Sequence, residues 1–226
     1  MPLVFDDPSF PDPGFADLYA LLPDAEELEP WLGWARAGGG SVLYLGAGSG
    51  RLLAPLRRRG IDFVAVDAHP LMADRLRRRL PGLEVHVARL EELQLEDRFD
   101  LVIAPSNLLT GIERLLAARR FSRRWVGFEL VNPHWLAAGA GGGVEVKSMD
   151  QEFARLEIRY QAGYVQAERT ALVWPERVED FLDRGGLELA SLRGSDPGAD
   201  LEQCPSYLVL ASRAPAPHFD GVLPGQ

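Results

Sequence analysis

Val42-Leu43-Tyr44-Leu45-Gly46-Ala47-Gly48-Ser49-Gly50-Arg51 is the stretch that decides the fold. Ser41 to Leu45 is a short apolar run, suited to a strand buried on both faces. It leads directly into glycines at alternate positions, which permit a tight turn and let a ligand approach the backbone. Arg51 to Arg59 reads as a helix with Leu52, Leu53 and Leu56 on one side, ended by Gly60. Pro55 fits if that helix starts near Arg51, because first-turn N–H groups lack helical partners anyway. Ile61 to Val66 is the next strand, and Asp67 closes it about 20 residues beyond the glycines, where a carboxylate can accept both ribose hydroxyls of an adenosine. Strand, glycine turn, helix, strand and acid describe a nucleoside-binding crevice at the carboxyl ends of a parallel sheet.

The alternation continues outward. Pro70 to Leu80 is an amphipathic helix, Leu83 to Ala88 a strand, Asp100 to Ala104 a strand, Leu108 to Arg119 a helix and Trp125 to Val131 a strand. Strands alternating with helices predict a doubly wound α/β sheet, mostly parallel and covered on both faces. Upstream, residues 14–37 form a helical cap in which Phe15, Leu18, Leu22, Leu28, Trp31 and Trp34 recur near the helical period, with a break at Pro23-Asp24. After Pro133 the period changes to two. Val144 to Lys147, Glu152 to Gln161 and Tyr164 to Trp174 read as an antiparallel meander inserted over 136–174, with a tight turn at Gln161-Ala162-Gly163. A helix from Glu176 to Asp183 begins after Pro175 and stops at Gly185-Gly186, and Leu187 to Leu192 and Tyr207 to Ser212 are the last strands. The tail from Ala214, with Pro215, Pro217 and Pro224, reads as loosely held.

The 226 residues are enough for one large domain, taken as 1–226. A single cysteine, Cys204, excludes an internal disulfide framework and a thiolate zinc cluster, and no metal site is expected. A net charge of −9 argues against nucleic-acid backbone as the main partner. The arginine runs 57–59, 77–79 and 119–124 are better explained as solvated cations near helix ends. No signal-peptide pattern and no membrane-length apolar run is visible, so the expectation is a cytoplasmic protein with no membrane partner. The dinucleotide fingerprint requires a glycine where Arg51 stands, and the Walker lysine has no counterpart in a chain whose sole lysine is Lys147. A nicotinamide-linked oxidoreductase stays open on the glycine–acid spacing alone.

The sequence resembles the class I S-adenosylmethionine-dependent methyltransferases in three segments: Val42 to Arg51, Val64-Ala65-Val66-Asp67-Ala68-His69-Pro70-Leu71-Met72, and Phe99-Asp100-Leu101-Val102-Ile103-Ala104-Pro105-Ser106-Asn107. The resemblance implies a Rossmann-like seven-stranded sheet with an antiparallel edge hairpin, and S-adenosyl-L-methionine as cofactor. The inserted meander is similar to the small-molecule branch, including sugar-amine and glycine-type N-methyltransferases, where such a sheet forms part of a substrate lid. It implies methyl transfer to an amine or hydroxyl of a small molecule, with a homodimer left open. Cofactor contacts carried over by the resemblance are Gly46, Ala47, Gly48, Gly50, Asp67, Ala68, Leu90 and Pro105.

Three positions depart from the family pattern. Tyr44 stands where an acid is usual, Arg89 where an acid near the adenine is common, and Phe121-Ser122-Arg123-Arg124 replaces a Pro-Gly-Gly. A methyltransferase-like binding or scaffold protein without catalysis is therefore the alternative. If the chain is catalytic, its main task is to align donor and acceptor, and an acceptor amine or hydroxyl also needs a proton acceptor. His134, just beyond the fifth strand, is the candidate base, and Tyr19, on the cap, is the candidate to lie over the cofactor. Asn107 and Asn132, the two asparagines of the chain, sit just past strands four and five and are the candidates for substrate contact. His69 is expected at the rim of the ribose or adenine site, His86 as a structural residue within a strand, and Cys204 as inert.

Overall fold

A computed structural model describes residues 1–213; the tail from Ala214 lies outside them. Strand β1 (Leu3–Val4) precedes helices α1 (Pro13–Leu21) and α2 (Trp31–Gly38). The parallel frame then alternates: β2 (Val42–Leu45), α3 (Leu53–Arg58), β3 (Phe63–Asp67), α4 (Pro70–Arg79), β4 (Glu84–Val87), β5 (Phe99–Ala104), α5 (Ile112–Phe121) and β6 (Ser122–Val131). A short helix α6 (Pro133–Ala137) leads to β7 (Val144–Met149), β8 (Phe153–Arg159) and β9 (Val165–Ala171). Helix α7 (Val178–Arg184), β10 (Glu188–Gly194) and β11 (Ser206–Ser212) complete the described chain.

The main sheet has seven strands in the order β10-β11-β6-β5-β2-β3-β4. The five strands from β6 to β4 are parallel, and β11 and β10 add antiparallel at the edge. All four residues of β2 are buried, as an apolar run at the sheet centre must be. Its alternate side chains feed two cores. Leu43 and Leu45 join Val102, Val126 and Phe128 beneath α5 and α7, while Val42 and Tyr44 join Trp31, Trp34 and Phe63 beneath α2 and α3. Trp34 lies so close to β6 that a Cβ on Gly127 would come within 2.8 Å of its ring.

The second sheet has the order β1-β9-β8-β7. The meander supplies three of its strands, and β1 adds the fourth, parallel to β9, through Leu3↔Val165 and Val4↔Gln166. Two residues are too short to show a period, so β1 carries no sequence signal. Val4, 1% exposed, packs with Phe15, Leu18 and Met72. Helix α6 also departs from the expected reading, in which the chain passed from β6 straight to the meander. Asn132 caps it by accepting from the His134 N–H at 3.1 Å, and Pro133 supplies a preset first-turn φ.

Asn107 joins the two sheets. Its amide donates to the Thr170 hydroxyl of β9, and its carbonyl accepts from the Val131 N–H at 2.9 Å. Asn107→Ala therefore loses both links, and urea or thermal unfolding is expected to show a loss of about 1–3 kcal/mol. Gly50 is held at φ +84°, and a Cβ there would stand 2.6 Å from Leu76 Cδ1 of α4. Gly50→Ala should cost about 2 kcal/mol or more, a fall in Tm of roughly 4–8 °C by calorimetry.

Candidate functional site

The glycine loop folds back onto the end of β3. Gly46, Gly48 and Gly50 all take positive φ, which side chains at these places would resist. The Ala47 N–H donates to the Val66 carbonyl at 3.0 Å, and the Gly48 N–H donates to Asp67 Oδ2 at 2.6 Å. The other carboxylate oxygen, Oδ1, accepts from the His69 N–H at 2.8 Å. Asp67 is 8% exposed, and burial pushes its carboxyl up to about 6 against the pull of those two donors. Each oxygen still has a lone pair free for a ligand hydroxyl.

The surroundings of the loop suit a nucleoside. A Cβ on Gly48 would meet no atom within 4 Å, so the loop faces open space there, whereas one on Gly46 would stand 3.0 Å from Ser106 Oγ at the end of β5. Ala68 and Pro105, both expected at the cofactor, are half-buried at the ends of β3 and β5. Leu90, also expected at the cofactor, is 5% exposed and packs with the core beneath α5. Tyr44, at the position usual for an acid, is not in the crevice. It is 4% exposed and edge-on to Phe63, with ring centroids 6.0 Å apart. Arg89 donates to the Ser9 hydroxyl at 2.6 Å, tying residues 5–12 to the end of β4.

Tyr19 overlooks the loop. Its carbonyl accepts from the Ser49 hydroxyl at 3.3 Å, and its ring lies 4.7 Å from Phe15. Burial, with Tyr160, Glu168 and Asp6 nearby, pushes its phenol well above the ordinary range, so it stays protonated as a donor. The residues between β1 and α1 close the same region. Asp12 caps α1 by accepting from the Gly14 N–H at 2.8 Å, and its second oxygen accepts from the Phe5 N–H at 3.1 Å. Asp6 lies between these anchored residues and remains solvent-exposed.

Several candidates have other employment. Asn132 is fully buried; its amide donates to the carbonyls of Leu201 at 2.7 Å and Cys204 at 2.9 Å, and its oxygen caps α6. With every polar atom engaged inside the protein, it has none to offer a substrate. Asn107 is spent on the link between the sheets. His134 pairs with Glu176 at 3.1 Å and packs edge-on against Trp174, 5.0 Å between centroids, at the turn that follows β9. His69, expected at the rim, is 1% exposed beneath Phe15. Two acids not singled out from the sequence, Asp6 and Glu168, lie within electrostatic reach of Tyr19. Glu168 alternates with buried Gln166 and Thr170 along β9, a signal that was there to be read. Three of the four arginines of α4 are turned to carboxylates: Arg75 to Asp17, Arg77 to Asp74 and Arg79 to Asp24.

Among the described residues no group of three or more His, Cys, Asp or Glu is placed to hold a metal ion, and no helix is long and apolar enough to cross a membrane.

Residues 42–126 match the family model of a methyltransferase domain. Uncharacterised methyltransferases of Mycobacterium bovis and Mycobacterium tuberculosis are 48% identical over 56 residues, which is 25% of this chain. The chain spans less than a quarter, 23%, of the length of these relatives. Among solved structures, the CcbJ methyltransferase of Streptomyces caelestis superposes with a TM-score of 0.64 at 21% identity, covering 89% of this chain and 96% of its own. CalS10, an amino pentose methyltransferase from Micromonospora echinaspora solved with S-adenosylmethionine bound, gives 0.64 at 16% identity over 91% and 98%. The glycopeptide N-methyltransferase MtfA, in complex with sinefungin, gives 0.63 at 20% identity over 92% and 91%. Residues 42–126 thus match a methyltransferase-domain model, and the described chain shares its fold with these solved methyltransferases.

Proposed function

We propose that the protein transfers a methyl group from S-adenosylmethionine to an amine or hydroxyl of a small molecule. The observation that carries this reading is the Gly48–Asp67 arrangement within the matched domain. It sets glycine backbone beside open space and a carboxylate with spare lone pairs at the carboxyl ends of β2 and β3. S-adenosylmethionine supplies an activated methyl group on a sulfonium, so the protein has chiefly to position it and exclude water. Asp67 accepts from the ribose hydroxyls, Gly46 and Gly48 let the ligand close on the backbone, and Ala68 and Pro105 flank it.

Tyr19 covers the cofactor from α1. The sheet of β1, β9, β8 and β7, pinned over the end of β5 through Thr170 and Asn107, acts as the lid under which the acceptor binds. The names of CalS10 and MtfA, one an amino pentose and one a glycopeptide N-methyltransferase, support a small-molecule acceptor. Tyr44 and Arg89 speak against the scaffold alternative, since the first is packed in the core and the second is turned to Ser9.

Calorimetric titration tests the reading. Binding of S-adenosylmethionine and S-adenosylhomocysteine is expected, and no binding of either at millimolar concentration overturns it. Asp67→Asn should weaken S-adenosylhomocysteine by about tenfold to a hundredfold, because a charge-assisted acceptor becomes a neutral one. Ligand hydroxyls donate to the ionised carboxyl, and binding therefore favours the deprotonated form. Affinity should rise as pH climbs through about 6, the value at which Asp67 ionises. The Asp67→Asn variant should lack that rise.

A further inference from the structure

A cavity of about 470 Å³ lies between α1 and α4. Ser49 of the glycine loop and Asp24 of the turn after α1 complete its lining. Hydrogen bonds hold these segments to one another. The Ser49 hydroxyl donates to the Tyr19 carbonyl at 3.3 Å, and Arg79 Nη1 donates to the Ser49 carbonyl at 3.3 Å. Arg51 Nε donates to the Pro23 carbonyl at 2.6 Å and ties the turn to the loop. The space is therefore enclosed by joined segments, and its volume falls within the roughly 300–1,000 Å³ common for small-molecule sites.

The lining divides by chemistry. Tyr19 and Leu22 bring apolar surface from the cap, and Arg75, Arg78 and Arg79 bring three guanidinium groups from α4. Their spacing, i, i+3 and i+4, puts all three on one helix face. Asp24 is the one carboxylate of the lining, and it is shared between Arg79 and Arg58, the latter at 3.0 Å. Arg75 turns to Asp17, whereas Arg78 has no ion pair and no hydrogen-bond acceptor among the described residues. The macrodipole accounts for a cation in the last turn of a helix, and Arg77 fills that role on another face, bonded to Asp74 and the Val85 carbonyl. It does not account for three cations gathered on one cavity in a chain of net charge −9.

We propose that this cavity binds a small molecule carrying an anionic group, a phosphate or a carboxylate, on an apolar body. Arg78 takes the anion, since its charge is the one left without a partner. A guanidinium has five N–H donors, and Arg75 and Arg79 commit to Asp17, Asp24 and Ser49 only some of theirs, so both can add to the hold. The apolar body lies against Tyr19 and Leu22. None of Gly46, Gly48, Asp67, Ala68 and Pro105 lines the cavity. Tyr19 is the residue it shares with the cofactor arrangement, and the inference does not depend on that reading.

Ligand-observed NMR titration of the full chain with phenyl phosphate, benzoate and benzyl alcohol tests this. The first two carry an anion on an apolar ring, and the third keeps the ring without the charge. At least one anion is expected to bind with a dissociation constant of about 1 mM or tighter, and the tighter of the two names the group. Benzyl alcohol should bind at least about tenfold more weakly, the scale of one charge-assisted contact. Raising the salt from about 0.05 M to about 0.5 M should weaken the anion several-fold through screening. Arg78→Gln should weaken it about tenfold, and as a change at an exposed, unbonded side chain it should keep the native Tm within about 2 °C. Asp67→Asn, at a separate place, should leave anion affinity within about twofold. The proposal is overturned if neither anion binds at about 10 mM, or if benzyl alcohol binds as well as they do. It is also overturned if Arg78→Gln binds as tightly as the native chain, or if Asp67→Asn loses the anion, which would put it in the nucleoside crevice.

Discussion

The buried carboxylate of Asp67 is the constraint on which the rest of the site depends. Its two oxygens take N–H groups from opposite directions, Gly48 from the glycine loop and His69 from the start of α4. A buried charge needs such donors to remain ionised at all. In providing them, the chain fixes how far the loop stands from the end of β3. The positive φ values of Gly46 and Gly48 follow from that requirement, because the loop must reverse within a few residues to aim its N–H at the acid. Gly50 answers a different need, the close packing of α4 through Leu76.

Around this centre the two sheets meet by polar contacts as well as by apolar packing. Asn107 reaches Thr170, and the Tyr207 hydroxyl donates to the Val173 carbonyl at 2.6 Å just beyond β9. The apolar cores remain partly separate: one group gathers Leu136, Ala154, Leu156 and Leu172 at the meander, another Val4, Phe15 and Leu18 at the cap. Small satellite cores held to a large one by a few hydrogen bonds are the regions where local opening costs least. Such a construction suits the lid role proposed for the second sheet.

The frame was legible in the sequence because burial on both faces leaves a strong mark. Val42 to Leu45 and Leu101 to Ala104 are apolar runs interrupted by helices of clear period, and such runs have few other places to go. Helix α6 was missed although Asn132-Pro133 is a good start signal, because five residues do not build a period. The site was less legible for a different reason. Asparagines beyond strand ends are as useful for capping and for joining sheets as for binding substrate, and the choice depends on partners such as Leu201 and Thr170, which are distant in sequence. The fold of residues 5–12 was invisible in the same way, because it depends on Asp12 gathering the Phe5 N–H and on Arg89 reaching Ser9, neither of which a local pattern can express.

The pairing of Leu3–Val4 with Val165–Gln166 bears on the order of assembly. These partners are separated by about three quarters of the described chain, so their contact closes one of its longest loops and belongs to a late stage of folding. During synthesis the short strand emerges long before β9 exists to receive it. Until then Val4, which ends 1% exposed, stays in water beside Leu3 and Phe5. The second sheet is therefore completed by a strand made well before its partner, once the frame beside it is already in place.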